Sequence, residues 1–176
     1  MEALVEFSIP IKGLQDGVHE YKFNIDRSFF SHFEQSPIME GGFEVALEFN
    51  KRPEMFELNF TFNGTAKQPC DRCLVQVDLP IEGENRLLVK FSEEPVEEDA
   101  DVVFVSRDIF SFNVAKYIYE YICLSLPLIN VFECEKLSNP PCDQKVLDRL
   151  EEMGYQEGTD KDEPNSIWDE LKDKFN

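Results

Sequence analysis

The chain has 176 residues, of which 42% are apolar and 16 are Phe. This apolar content is enough to fill one hydrophobic core, and it excludes a chain that is disordered throughout. Its formal charge of −19, from 17 basic and 36 acidic residues, disfavours broad electrostatic binding of nucleic acid and favours basic partners, although acidity alone also serves solubility. No stretch approaches the roughly 18–20 consecutive apolar residues of a membrane span.

The first third of the chain predicts two strands and a short helix. Partial alternation indicates a strand at residues 3–11, and the glycine-containing segment 12–17 predicts a turn. Residues 19–25 alternate and predict a second strand. Asp26 is placed to cap a short helix, whose apolar side chains are Phe29, Phe30 and Phe33.

Strict alternation of apolar and polar residues predicts a hairpin of two long strands at 43–49 and 56–62, joined by residues 51–54. The second strand continues through Gly64 into Cys70 and Cys73. Apolar alternation resumes at residues 74–79, and a further strand is predicted at 86–91. The two cysteines are therefore expected at a turn between strands rather than at the start of a helix.

The second half predicts helices after an acidic loop. Residues 92–101 contain six acids and no base, which is typical of a solvated loop. Strands are predicted at 102–105 and 108–112, and Asn113 is the expected N-cap of a helix that ends before Pro127. The apolar face of this helix comprises Val114, Tyr117, Ile118, Tyr121 and Ile122.

The C-terminal region predicts a short helix at 143–153 that ends at Gly154. Its expected inward side chains are Val146, Leu147, Leu150 and Met153. An acidic linker at 156–165 and a terminal amphipathic helix at 166–175 follow. The chain is therefore expected to be an α+β domain at 1–155 with an appendage at 156–176. We predict a curved, mainly antiparallel, barrel-like sheet of about six to eight strands, one packed helix and two short C-terminal helices.

Four cysteines form the candidate metal site. Cys70 and Cys73 have the spacing of half a tetrahedral zinc site, and Cys134 and Cys142 are the expected other half. The wide spacing of the second pair is unusual for a zinc knuckle, which leaves two alternatives open. The thiols are either remnants of an ancestral metal site or a redox dithiol, although redox pairs usually open a helix.

The remaining candidate residues have simpler interpretations. Cys123 is expected to be a small buried apolar residue, and His19 and His32 to serve packing or the surface. Arg72 is expected in a local ion pair, and Glu120 is expected either to contact a tyrosine or arginine or to face solvent. The sequence contains no Ser/His/Asp grouping, no phosphate-binding glycine loop and no HExxH motif.

Several motifs and their order resemble the YceD family, the large ribosomal RNA subunit accumulation proteins. They are the opening Ile-Pro-Ile-Lys-Gly-Leu-Gln-Asp-Gly, the Cys-Asp-Arg-Cys-Leu turn, the acidic loop, Leu-Ser-Leu-Pro-Leu after the helix, and the closing Ile-Trp-Asp-Glu-Leu-Lys. The resemblance implies a role in accumulation or processing of large-subunit ribosomal RNA, with no established catalytic activity. Many members have a second closely spaced cysteine pair, from which the spacing of Cys134 and Cys142 departs.

These observations predict a cytoplasmic, non-enzymatic ribosome-biogenesis factor that binds a basic ribosomal protein or a pre-ribosomal RNA–protein complex. Bare nucleic acid is disfavoured by the net charge, although local bases such as Arg72 can act against it. No membrane association is expected. The alternative function is a thiol redox protein that uses Cys70 and Cys73. A metal-dependent hydrolase is excluded if four cysteines close the site, because no position remains for water.

Overall fold

The computed structural model describes residues 2–93, 101–131 and 141–154. Within these residues, a 3₁₀ helix at Glu2–Phe7 precedes seven strands and three α-helices. The strands are β1 (Ser8–Pro10), β2 (Gly17–Ile25), β3 (Gly41–Lys51), β4 (Met55–Pro69), β5 (Gln76–Phe91), β6 (Val102–Val105) and β7 (Ser111–Asn113). The helices are α1 (Arg27–Phe30), α2 (Ala115–Leu124) and α3 (Gln144–Glu152).

The main sheet has five strands in the order β2-β3-β4-β5-β6. Neighbouring strands are antiparallel except for the parallel pair β5 and β6, and a separate antiparallel pair joins β1 to β7. The α+β class and the mainly antiparallel pairing are thus confirmed, although this sheet is mixed and, within the described residues, has five strands rather than the predicted six to eight. Closure into a barrel is not confirmed, because β2 and β6 end the strand order and do not pair with each other in the described part of the chain.

One face of this sheet forms the core. Strand β3 alternates strictly between buried and exposed residues, as the sequence predicts, and β4 continues the same pattern. Helix α2 packs on the buried face through Ile118 and Ile122, and the Tyr121 ring lies 5.4 Å from that of Phe60. Each large apolar side chain removed from water contributes about 1.5–3 kcal/mol. The opposite face of the sheet remains polar.

The N-terminus differs from the predicted strand at 3–11, since only β1 is extended and Glu2–Phe7 is a 3₁₀ helix. A distant residue explains the difference. The side-chain amide of Asn113 donates to the carbonyl of Leu4 at 2.8 Å, and the amide of Val114 donates to that of Phe7 at 3.0 Å. These contacts hold the segment in a conformation that its own alternation does not indicate.

Strand β5 is one strand of 16 residues, so the predicted break between 74–79 and 86–91 is wrong. Pro80 lies inside it, opposite Thr65 of β4. Proline has no amide hydrogen to donate, and it is tolerated here because β6 pairs only with Leu88 to Phe91. At Pro80 the strand is therefore an edge strand.

The two helices predicted after the sheet, at 114–126 and 143–153, are both present as α2 and α3, although some of their boundaries differ from the prediction. Helix α2 ends at Leu124, before Pro127, and Val114 occupies the N-cap position without a side-chain cap. Asn113 still contributes, because its side-chain oxygen accepts from the amide of Ala115 at 2.9 Å. Strand β7 begins at Ser111, later than the predicted 108–112.

Helix α3 begins at Gln144, and its N-cap Asp143 accepts from the amide of Lys145 at 3.0 Å. The prediction that Met153 faces inward is wrong, because its side chain is exposed. Leu147, which is also predicted to face inward, is half-buried. The predicted linker and terminal helix beyond residue 155 lie outside the described residues. Within the described part, no helix is long and apolar enough to cross a membrane.

Candidate functional site

The turn between β4 and β5 carries the cysteine pair. Pairing of Pro69 with Gln76 closes the two strands, and the amide of Cys70 donates to the carbonyl of Val75 at 2.8 Å. The amide of Leu74 donates to the carbonyl of Cys70, also at 2.8 Å. Leu74 has a φ of +62°, a left-handed backbone conformation that is costly for a bulky residue. This conformation reverses the chain just after Cys73. The prediction that the pair lies at a turn between strands is confirmed.

Both side chains of this pair face inward, with Cys70 and Cys73 each only 1% exposed. They form a small apolar cluster with Val77, separate from the main core, and Cys142 and Leu147 pack against it. The fold therefore brings the segment before α3 to the cysteine turn. Soft sulfur atoms in a buried pocket are the donor set that suits zinc in a structural site.

The fourth predicted ligand, Cys134, lies outside the described residues. Cys142 is disulfide-bonded, so its sulfur is not a thiolate in this structure. Among the residues that the structure describes, no group of three or more His, Cys, Asp or Glu is arranged to hold a metal ion. The four-cysteine zinc site stays a prediction, and it requires Cys142 in its reduced form.

Two hydrogen bonds fasten the cysteine turn to the segment that follows α2. The amide of Asp71 donates to the carbonyl of Asn130 at 2.9 Å, and the amide of Asn130 donates to a carboxylate oxygen of Asp71 at 2.7 Å. This reciprocal pair joins positions that are 59 residues apart in the chain. It holds the turn against the end of the helical segment without any metal.

Cys123 is half-buried on α2 rather than fully buried as predicted, and it is not part of this cluster. Burial raises the pKa of its thiol, against a hydrogen bond with Tyr119 that lowers it. Because the raised pKa favours the protonated thiol at neutral pH, the side chain is a poor nucleophile.

The two histidines bond to nearby backbone, as expected of surface residues. A ring nitrogen of His19 lies 2.9 Å from the carbonyl oxygen of Gln15, and one of His32 lies 2.7 Å from that of Ser28. Glu120 is half-buried and lies 3.8 Å from the ammonium of Lys116 on the same helix. This contact is neither the tyrosine nor the arginine contact that the sequence suggested.

The outer face of the main sheet forms a polar surface that we call the acidic face. Its exposed carboxylates form no ion pair with another described residue: Glu20, Glu44, Glu48, Glu82 and Glu84. Glu20 on β2 lies directly opposite Glu48 on β3, an arrangement in which like charges repel. The alternation at residues 43–49 places Glu44 and Glu48 on one face of a strand, but their shared surface with Glu20, Glu82 and Glu84 depends on strand register.

Comparison with known proteins supports the resemblance seen in the sequence. Residues 58–173 match the family described as large ribosomal RNA subunit accumulation protein YceD, and this is more than half of the chain. The chain therefore belongs to the YceD family. No curated protein and no solved structure matches it significantly.

Proposed function

We propose that this chain is a non-enzymatic factor that supports accumulation or processing of the large-subunit ribosomal RNA in the cytoplasm by binding a basic ribosomal protein or a pre-ribosomal RNA–protein complex. The family indicates that the process is accumulation of the large-subunit ribosomal RNA, because its description names that process. The proposed mode of action, binding of a basic partner, rests on the acidic face.

The acidic face suits a basic polypeptide for two reasons. Its five carboxylates have no cation in salt-bridge distance among the described residues, so their charge is available to a partner. A shallow depression of about 430 Å³, whose polar lining includes Glu20, Lys22, Glu48, Asn59 and Thr61, offers a place for a long cationic side chain because its two carboxylates outnumber its one base. A Lys or Arg seated there relieves the repulsion between the two glutamates, which adds to the attraction.

The test is co-purification of the tagged chain with large-subunit particles, followed by binding to each purified basic ribosomal protein found there. The variant Glu20→Gln/Glu44→Gln/Glu48→Gln is expected to bind about tenfold more weakly, because three rim charges are lost. Glu34→Gln/Glu151→Gln/Glu152→Gln removes the same charge from exposed positions off the sheet and is the matched control. Equal loss in both variants, or no ribosomal component in the purification, contradicts the proposal.

We further propose that Cys70, Cys73, Cys134 and Cys142 hold one structural zinc ion when reduced. Support comes from the burial of the first two thiols and from the packing of Cys142 against them. Such an ion would join the end of the sheet to the segment before α3. Zinc supplies folding energy in closed sites of this type and no open position for water.

Metal content of the protein purified under reducing conditions tests the zinc proposal. Wild type is expected to contain one zinc ion per chain and Cys70→Ser/Cys73→Ser none, with a lower melting temperature. Cys123→Ser removes a thiol elsewhere and should retain the metal. Reduced wild-type protein without zinc would show that these cysteines are not a metal site.

The thiol redox alternative has one supporting observation, the position of Cys70 and Cys73 close together within one turn. Their burial and the strand that follows them argue against it, since reactive pairs are accessible and usually open a helix. An insulin-reduction assay separates the two functions: activity that disappears in Cys70→Ser would support the redox protein.

A further inference from the structure

A cleft at the opposite end of the sheet from the cysteine turn concentrates positive charge. It has a volume of about 350 Å³ and lies between the loop after β1, the turn joining β3 to β4, and the loop after β6. Its charged lining comprises the bases Lys12, Lys51, Arg52 and Arg107 and the acids Asp16 and Asp108. This excess of bases opposes the charge of the whole chain, which has 17 basic and 36 acidic residues.

Two of these bases are already engaged in holding the cleft together. The ammonium of Lys51 donates to the carbonyls of Ile11 and Leu14 and lies 3.8 Å from Asp16. The guanidinium of Arg52 donates to a carboxylate oxygen of Glu57 at 3.0 Å. The Lys51 contacts hold the first loop against the hairpin turn, and the Arg52 contact lies within the hairpin itself.

The other two bases are available to a ligand. Lys12 and Arg107 are both exposed, and neither forms an ion pair with another described residue. The ammonium of Lys12 lies 4.0 Å from the centre of the Phe110 ring, and the guanidinium of Arg107 lies 5.4 Å from that of Phe91. Cation–π contacts of this kind orient the bases without neutralising them.

An exposed aromatic ring stands beside these charges. Phe110 is 69% exposed, and in the described part of the chain it is the one phenylalanine with so exposed a ring. Its backbone is fixed, because its carbonyl accepts from the amides of Ile11 at 2.9 Å and Lys12 at 3.3 Å. An exposed aromatic ring on a hydrogen-bonded backbone, next to bases without ion pairs, is the combination by which proteins bind single-stranded nucleic acid.

We propose that this cleft binds single-stranded RNA, with Lys12 and Arg107 each on a different backbone phosphate and Phe110 stacked on a neighbouring base. The choice of RNA over another anion rests on the proposed function. The cleft thereby adds an RNA contact to the protein contact of the acidic face, and the local charge overrides the net charge that disfavours nucleic acid. The bases involved are not Arg72, the residue that the sequence suggested.

Binding of the full chain to a labelled single-stranded oligouridylate, measured by fluorescence anisotropy over a series of salt concentrations, tests the proposal. Lys12→Ala/Arg107→Ala is expected to weaken binding about tenfold or more and to reduce the salt slope by about 1.4, for two lost phosphate contacts. Phe110→Ala is expected to weaken binding about tenfold with an unchanged slope. The matched control is Lys22→Ala/Lys145→Ala, which removes two exposed, unpaired bases elsewhere and should bind as wild type does.

Three results would overturn the proposal. They are absence of wild-type binding at about 50 mM salt, equal loss in the control variant, and displacement of the RNA by polyglutamate as readily as by unlabelled RNA. The last would identify an acidic polypeptide as the ligand instead. Melting curves of every variant show that the fold is intact. Since the acidic-face variant and the ribosomal-protein assay are independent of the cleft, failure of either proposal is distinguishable from failure of the other.

Discussion

At the scale of single residues, Asp26 shows how one carboxylate begins a helix. It accepts from the amides of Ser28 at 2.8 Å and Phe29 at 3.3 Å and from the hydroxyl of Ser28 at 2.6 Å. The hydroxyl bond first, and then the backbone bonds, lower the pKa of Asp26 from its ordinary 3.8. Its stabilising effect is therefore present above that value and lost as the pH falls through the lowered pKa.

We expect Asp26→Ala to lower the melting temperature by a few degrees at pH 7, because the amides at the start of α1 lose their acceptor. The difference from wild type should shrink as the pH falls from about 4 through the lowered pKa of Asp26, because the wild-type carboxylate becomes protonated over that range. Asp26→Asn retains an acceptor and should stay close to wild type at pH 7. A difference between Asp26→Ala and wild type that does not change with pH would contradict this interpretation.

Tyr121 has a buried hydroxyl with no hydrogen-bond partner among the described residues. A buried polar group in this state costs about 1–3 kcal/mol, so Tyr121→Phe is expected to raise the free energy of unfolding by about 1 kcal/mol. Burial, ahead of nearby negative charge, raises the pKa of this hydroxyl to about 12 from 10.0. Because the unfolded chain ionises first, wild type should lose stability as the pH rises from 10 to 12, and the variant should lose less.

Urea denaturation at several pH values measures both effects. Tyr21→Phe is the control, because its ring is half-buried on the edge strand β2, and the change should be within about 0.5 kcal/mol. Destabilisation by Tyr121→Phe would indicate that the hydroxyl has a partner.

At the scale of elements, the β3–β4 hairpin depends on a close approach of two backbones at Gly64. A β-carbon added there would lie 2.1 Å from the carbonyl oxygen of Gly42 and 2.7 Å from the α-carbon of Phe43. Both are backbone atoms in the paired strands, so neither can move without breaking the register in which Phe43 faces Gly64. Gly64 is thus a packing requirement of the hairpin.

We expect Gly64→Ala to lower the free energy of unfolding by about 3 kcal/mol through this overlap. Gly42→Ala is the matched control on the partner strand, because its added carbon meets nothing closer than the carbonyl oxygen of Ile25 at 3.8 Å. That variant should change stability by less than about 1 kcal/mol. Equal denaturation midpoints for the two variants would contradict the close approach.

At the scale of the whole molecule, the charge of −19 opposes compaction. Raising the salt concentration from about 20 mM to about 500 mM should increase the melting temperature by a few degrees, because salt screens repulsion between exposed carboxylates. The variant Glu20→Gln/Glu44→Gln/Glu48→Gln has less repulsion to relieve and should gain less. A melting temperature that falls with salt would show that attractive ion pairs dominate instead.

Much of the fold could be predicted from local pattern. The β3–β4 hairpin, strand β2, the cap at Asp26 and helix α2 follow from alternation, turn residues and helical spacing, which are properties of adjacent residues. The errors occurred where distant contacts decide. Residues 3–11 lose their predicted strand to contacts of the Asn113 and Val114 region, and β5 runs through Pro80 because its neighbour β6 is short.

The candidate sites divide in the same way. The sequence predicted that Cys70 and Cys73 lie at a turn between strands, which is confirmed, whereas their burial is seen only in the structure. No local pattern indicated the cationic cleft, because Lys12, Lys51 and Arg107 belong to three different loops. Alternation in the sequence indicated Glu44 and Glu48 alone, and only strand register shows that Glu20 and Glu48 are neighbours.

By itself, the sequence determined the α+β class, the main hairpin, the position of the cysteine turn and the family, because each depends on residues close together in the chain. The tertiary structure alone decided that the sheet is mixed and open, that Cys142 reaches the turn, and that basic side chains gather at the far end. The cysteine turn and the cationic cleft lie at the two ends of β4, roughly 45 Å apart. Such arrangements follow from strand order and register, which bring together side chains that no local spacing relates.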